Sequence, residues 1–368
     1  MAEIIRTSME DFKLKNVYSR ELITGLATLV STIYTPFQAQ EFQDFVLDAA
    51  WNGRELKERM RHITLALRKY LPDKYADALQ ILRQAAPQCE GFPYLFFPDF
   101  VEQYGLEYED ISIPALELFT QFSSAEFVIR PFIIKKPEQI MAQMLAWAEH
   151  PNHHVRRLAS EGSRPRLPWG MALKQFQRDP APILPILERL KADESDYVRR
   201  SVANNLNDIA KDHPEVVLGI AKRWKGANPH TDWIVRHSLR TLLKRGNSEA
   251  LALFGLRGNE GVTVSNLHCK DSSVAIGETT TFSFDLSVQK AGNIRLEYGV
   301  YYVKANGEAS RKVFFIHEKE YAANTTAHIT RKISFQQRTT RKHYAGVHRL
   351  TVIVSGIESA ETSLAVTA

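Results

Sequence analysis

Glu161, Arg164, Arg166 and Trp169 fall close together on a segment stiffened by Pro165 and Pro168 and bracketed by Gly162 and Gly170. Each side chain has a distinct chemistry. Guanidinium groups read phosphate by charge-assisted, often bidentate hydrogen bonds, an indole face attracts a cation, and a carboxylate stabilises positive charge. The segment interrupts a helical pattern that starts at His154-Val155-Arg156-Arg157-Leu158-Ala159, because proline and glycine end helices. The plain structural alternative is a proline-rich turn joining two helices, with Arg164 and Arg166 solvated.

A repeat places this segment among its neighbours. His154-Val155-Arg156-Arg157, Tyr197-Val198-Arg199-Arg200 and Ile234-Val235-Arg236-His237 are versions of one motif, with valines 43 and then 37 residues apart. Four residues past each valine stands Ala159, Val202 or Leu239, the next position on the same helical face. Two-helix repeats of this length are the mark of a HEAT or armadillo solenoid. In this register Glu161 matches Asn204, and Asp208 lies one turn beyond it, so Glu161 and Asp208 are expected to face one concavity. Otherwise Asn204, Asn205, Asn207 and Asp208 are the polar side of an exposed helix.

The elements that must hold these residues read as helix after helix up to about residue 250. Leu56, Met60, Ile63, Leu67 and Leu71 form an apolar stripe that Pro72 closes, and Glu55 can pair with Arg59 on its outer face. Pro114 is expected to open a helix carrying Leu116, Phe119 and Phe122 inward, and Pro137 to open another. Ser123 and Glu126 have the spacing of a capping box. Leu22, Leu26, Leu29 and Ile33 fit one helical face, so the basic and apolar N-terminal stretch reads as a buried helix rather than a signal peptide. No other stretch approaches a membrane span.

Beyond Gly255, Gly258 and Gly261 the period changes to two. Thr279–Val288, Ile294–Val303, Lys312–Ile316, His328–Phe335 and His348–Val354 alternate, separated by turn signals such as Ala305-Asn306-Gly307. About seven short strands suggest an immunoglobulin-like sandwich, without the Cys–Trp–Cys signature of antibody domains. Arg338, Arg341, Lys342 and Arg349 cluster near one hairpin, either as solvated surface or as phosphate contacts. The chain of 368 residues is 44% hydrophobic and 24% charged, an ordinary globular composition. Its net charge of +5 permits a nucleic-acid partner without requiring one. Two distant cysteines, Cys89 and Cys269, imply neither a disulfide framework nor a cysteine metal site.

Four stretches carry a resemblance: Ser124–Phe132, Arg156–Gly170, Val198–Asp208 and Asp232–His237. In them the chain resembles the AlkC branch of the HEAT-like-repeat DNA alkylation-repair glycosylases, relatives of the AlkD type. The resemblance implies a mainly α fold, a HEAT-like repeat helical solenoid over residues 1–258, followed by a C-terminal immunoglobulin-like β-sandwich over 259–368. It implies hydrolysis of the N-glycosidic bond of cationic N3-alkylated bases, 3-methyladenine and 3-methylcytosine. Glu161, Asp208 and Glu126 stand at the matching carboxylate positions. Trp169 would face the cationic base or sugar. Arg164, Arg166 and Arg130 would meet DNA, as would repeat arginines such as Arg156, Arg199 and Arg236, with Trp233, Arg341 and Lys342 as further contacts. Some repeat arginines could instead pair with acids between repeats. The expected partner is double-stranded DNA containing alkylated bases, bound by a cytoplasmic, nucleoid-associated monomer with no membrane attachment, no cofactor and no metal. The competing class is a non-catalytic HEAT-repeat scaffold that binds DNA or protein.

Overall fold

The computed structural model describes residues 13–337 and 341–368, so Arg338 lies outside the described residues. Helices occupy the chain as far as Leu253 and strands run from Val262 to Thr367, giving a HEAT-like solenoid and an immunoglobulin-like sandwich. Two compact units emerge. The first ends at Asp212 and takes in Gly226–Ile234; the second combines His213–Lys225 with Val235–Ala368.

In the first unit, α1 (Arg20–Ile33) is capped by Ser19, whose side chain accepts from the Leu22 amide. Its buried face is Ile23, Leu26, Ala27 and Val30, rotated from the expected stripe, with Leu22 and Leu29 on the rim. Helix α2 (Leu56–Tyr70) buries Ile63, Ala66 and Leu67 as its stripe requires. The expected Glu55–Arg59 pair is absent. Glu55 caps α2 and pairs with Lys15 at 2.8 Å, while Arg59 is buried 4.8 Å from the Trp51 ring. An aromatic face within reach outweighs a solvent-screened pair across one helical turn.

Helix α3 (Phe96–Tyr104) precedes α4 (Glu109–Phe122), which begins five residues before Pro114. Glu109 and Asp110 in its first turn complement the positive end of the helix, and the proline is accommodated inside. The Ser123–Glu126 capping box does not form either, because α5 (Ile129–Lys135) starts after Glu126 and the glutamate is engaged elsewhere. Pro137 does open α6 (Pro137–Trp147). Helix α7 (His153–Gly162) is capped by Asn152, whose side chain accepts from the His154 amide at 2.8 Å. It packs beside α8 (Asp196–Ile209), where Ser160 Oγ and Ser201 Oγ lie 3.0 Å apart and Asn205 Nδ2 donates to the Ser160 carbonyl at 2.8 Å. Val155, Val198 and Val235 are buried, as are Ala159, Val202 and Leu239, so the repeat register holds. Val235 lies on α9 (Pro229–Ser238).

Among the described residues the second unit contains eight strands: β1 (Val262–Cys269), β2 (Ser273–Ala275), β3 (Thr279–Val288), β4 (Gly292–Val303), β5 (Ala309–Tyr321), β6 (Thr325–Ser334), β7 (Gly346–Val354) and β8 (Ile357–Thr367). They form a three-stranded sheet, β1-β3-β6, and a five-stranded sheet, β2-β8-β7-β4-β5. Strand β3 turns Thr280, Phe282, Phe284, Leu286 and Val288 inward, the period of two read from its sequence. Ser355 and Gly356, both at positive φ, make the two-residue turn between β7 and β8.

Candidate active site

Helices α7 and α8 and the turn before α5 bring three carboxylates into one buried network. Arg164 joins two of them. Its Nη1 donates to Glu161 Oε1 at 2.7 Å, and its Nε donates to Asp208 Oδ2 at 2.9 Å. Arg157 joins the third, donating from Nη2 to Glu126 Oε1 at 3.2 Å while lying 3.7 Å from Glu161. Ser201 Oγ completes Glu161, donating to Oε2 at 2.7 Å, and Ser124 donates to Glu126. Lys211 reaches Asp208 Oδ1 at 2.9 Å. The repeat register therefore does bring Glu161 and Asp208 together, with an arginine between them.

Charge balance follows from this geometry. Burial alone would lower the pKa of Arg157, but Glu126 and Glu161 outweigh it and raise the group. Arg164 is raised in the same way, with Glu161 and Asp208 overcoming burial. Both guanidinium groups are thus fixed cations. Three carboxylates share them, with Lys211 as a partial counterweight on Asp208. The carboxylates are held by hydrogen bonds from fixed groups, so charge developing beside them meets a preorganised field.

The segment after α7 is pinned at several points. Gly162 ends α7 where a Cβ would stand 2.6 Å from Ile129 Cγ2 and 3.1 Å from Met144 Cε, so only glycine allows this packing. Arg130 donates to the Gly162 carbonyl at 2.9 Å and to the Met171 carbonyl at 2.7 Å, tying together the two ends of the turn. Lys57 Nζ donates to the Trp169 carbonyl at 2.9 Å. Trp169 itself has φ 65°, in the left-handed region that disfavours bulky residues, and its side chain is 68% exposed. The indole is therefore held exposed on a strained, clamped backbone and is not a core residue. Trp169 and Ser124 line one cavity, and Ser124 also bonds Glu126, so one side chain links that cavity to the carboxylate network.

Most of the arginines expected to meet phosphate have internal partners. Arg130 is fully buried against the Gly162 and Met171 carbonyls, and burial, with Arg164 nearby, lowers its pKa to about 10, so it serves the turn. Arg164 is likewise buried within the carboxylate network. Arg166 pairs with Asp212 at 2.8 Å. Arg156 pairs with Asp193 at 2.6 Å, tying one repeat to the next, and Arg199 donates to the Asp193 and Glu194 carbonyls just ahead of its own helix. Arg236 pairs with Glu318 and stacks 4.4 Å over the Phe254 ring. Trp233 on α9 is partly exposed. Arg341 lies 4.9 Å over the Tyr302 ring, while Lys342 is exposed. The residues that sequence reasoning missed are the ones that hold the carboxylates and the turn: Ser124, Arg157, Ser201 and Lys57. Arg157 and Ser201 stood within recognisable stretches, but nothing in their spacing distinguished them from solvated positions. Among the described residues no group of three His, Cys, Asp or Glu side chains could hold a metal ion, and no helix is long and apolar enough to cross a membrane.

Comparison with known proteins gives a consistent picture. Residues 119–250 match the family described as "DNA alkylation repair enzyme", and residues 263–368 match "Uncharacterised protein YhaZ, C-terminal Ig-like domain". The chain is 49% identical over 343 residues to the uncharacterised protein YhaZ of Bacillus subtilis, covering 93% of this chain and 96% of that one. It is also similar to the alkylpurine DNA glycosylase AlkC of Pseudomonas fluorescens, solved bound to DNA containing an abasic site analog. There the TM-score is 0.90 and the identity 39%, over 97% of this chain and 100% of AlkC.

Proposed function

The chain belongs to the DNA alkylation repair enzyme family, and from that premise we propose that it is a monofunctional DNA glycosylase. Its substrates are cationic N3-alkylated bases, 3-methyladenine and 3-methylcytosine, in double-stranded DNA. Such bases are already good leaving groups, so no general acid is needed. The barrier lies in the positive charge that develops on the deoxyribose as the N-glycosidic bond breaks. The observation that carries this reading is the Glu126–Arg157–Glu161–Arg164–Asp208 network, linked through Ser124 to the cavity that Trp169 lines. Three carboxylates are anchored there by Arg157, Arg164, Lys211 and two serine hydroxyls, and such fixed groups suit a site that must stabilise a cationic sugar.

Glu161 is the chief charge-stabilising group in this reading. It shares its oxygens with Arg164 and Ser201, and its side chain keeps 9% of its surface accessible. Glu126 borders the cavity through Ser124 and is placed to orient the attacking water. Asp208, with 3% of its side chain accessible, acts through Arg164. Trp169 stacks on the lesion. Residues 1–258 carry the chemistry, and residues 259–368 add backbone contacts through Arg341 and Lys342. A DNA substrate locates the monomer with the nucleoid in the cytoplasm.

The test is release of free base from duplex DNA carrying each lesion, resolved by chromatography. The expected result is release of 3-methyladenine and 3-methylcytosine together with abasic sites and no strand cleavage. Firm DNA binding with no base release would leave the scaffold reading in its place.

A further inference from the structure

Helices α7 and α8 face each other with two matched stripes. His154, Arg157, Glu161 and Arg164 follow at spacings of three, four and three along α7 and just past its end. Tyr197, Ser201, Asn205 and Asp208 follow at four, four and three along α8. Such spacings keep each set on one helical face. The stripes meet rung by rung. Arg164 binds Asp208 at 2.9 Å, and Ser201 donates to Glu161 at 2.7 Å. The first rung is aromatic. The Tyr197 ring centroid lies 5.6 Å from that of His154 and 4.5 Å from the Arg157 guanidinium carbon.

Arg157 is the joint of the network and needs this support. Its hydrogen bonds run to one short segment. Nη1 donates to Ser124 Oγ at 3.0 Å and to Glu126 Oε2 at 3.3 Å, and Nη2 donates to Glu126 Oε1 at 3.2 Å. All three are longer than the roughly 2.7–2.9 Å of a strong charge-assisted pair. Glu161 stands at 3.7 Å. Bonds of that length, all toward Ser124 and Glu126, leave the guanidinium free to shift unless α8 holds it as well. Tyr197 is 40% exposed, so packing of the core does not account for it. Burial of its hydroxyl raises the pKa, with Arg157 opposing and Glu126 and Glu161 reinforcing it, so a neutral ring underlies the cation.

We propose that Tyr197 is a positioning residue: its ring seats the Arg157 guanidinium, and Arg157 in turn fixes Glu126 and Glu161 for base release. Carboxylates that must meet a developing charge lose effect when they can swing, and Arg157 sets their separation. What the network is for rests on the glycosylase reading; how Arg157 is seated does not.

The test compares Tyr197→Leu, which removes the ring, with Tyr197→Phe, which keeps it, in full-length protein shown to be folded by circular dichroism. Single-turnover release of 3-methyladenine from duplex DNA should slow about 3- to 30-fold in Tyr197→Leu, the range of a cation–π contact. Tyr197→Phe should restore it, and affinity for abasic-site DNA should hold in both. A wild-type rate in Tyr197→Leu, or an equal loss in Tyr197→Phe, overturns the proposal. A double-mutant cycle shows whether Tyr197 acts through Arg157. With Arg157→Met in place, Tyr197→Leu should slow release no further, whereas losses that multiply make Tyr197 a mere spacer and overturn the proposal. A last readout needs no catalysis. The side-chain nitrogen resonances of Arg157 should report faster guanidinium rotation in Tyr197→Leu but not in Tyr197→Phe. If the wild-type protein releases no base, the glycosylase reading fails while this measurement still decides the seat. Base release by wild type with unaltered Arg157 rotation in Tyr197→Leu refutes the seat alone.

Discussion

Two buried arginine–carboxylate clusters in this chain invite comparison. In the second unit, Arg295 binds Glu297 at 2.6 Å and Glu318 at 2.5 Å, and Glu318 also takes Arg236. Arg295 and Glu318 are directly opposed on β4 and β5, and Glu297 is two residues along the same strand, so sheet register assembles the group. It holds two arginines and two glutamates, and Glu297 is wholly buried. The cluster on α7 and α8 draws residues as distant as Glu126 and Asp208, recruits Ser124 and Ser201, and holds three carboxylates against two arginines. The first cluster is confined to β4, β5 and α9. The second draws its carboxylates from three segments and is linked through Ser124 to an open cavity, and that is why we assign it the chemistry.

The strongest way to break that contrast is to remove the arginine from each cluster. Arg164→Met and Arg295→Met should each cost about 3–5 kcal/mol of stability in denaturant melts, because each strands buried carboxylates. Only Arg164→Met should also lose base release per folded molecule; equal activity in the two variants would erase the distinction. Next in size, Gly162→Ala forces a Cβ against Ile129 and should destabilise by about 1–3 kcal/mol, read as a lowered Tm. Trp169→Ala should weaken binding to abasic-site DNA by roughly 0.5–2 kcal/mol and to undamaged DNA by less; an equal loss on both would make Trp169 a structural residue of its turn. The smallest effect belongs to the second unit, where Lys342→Ala should lower the salt slope of DNA binding by about one unit. An unchanged slope would remove Lys342 from the interface.

The legible and illegible parts of the sequence divide along physical lines. Val155, Val198 and Val235 announced the repeat because burial imposes a period that composition displays, and β3 showed its alternation for the same reason. Glu161 and Asp208 could be paired through the repeat register alone. Arg130 and Arg164 were misread as phosphate contacts because an arginine's partners are set by tertiary neighbours, here the Gly162 and Met171 carbonyls and the two carboxylates. Glu126 satisfied the spacing of a capping box, yet Arg157, on a helix that the chain reaches only later, claimed it. Local patterns anticipate elements well and cross-helix ion pairs poorly.

Glu161→Gln tests the central claim most directly, because it removes one charge while keeping the shape and most of the hydrogen bonds around it. The measurement is the single-turnover rate of base release from alkylated duplex DNA, with affinity for abasic-site DNA and Tm determined on the same samples. The expected result is a rate lower by about 10²–10³ with the fold intact and binding retained. A near wild-type rate in the folded, DNA-binding variant would contradict the assignment of Glu161 as the charge-stabilising carboxylate.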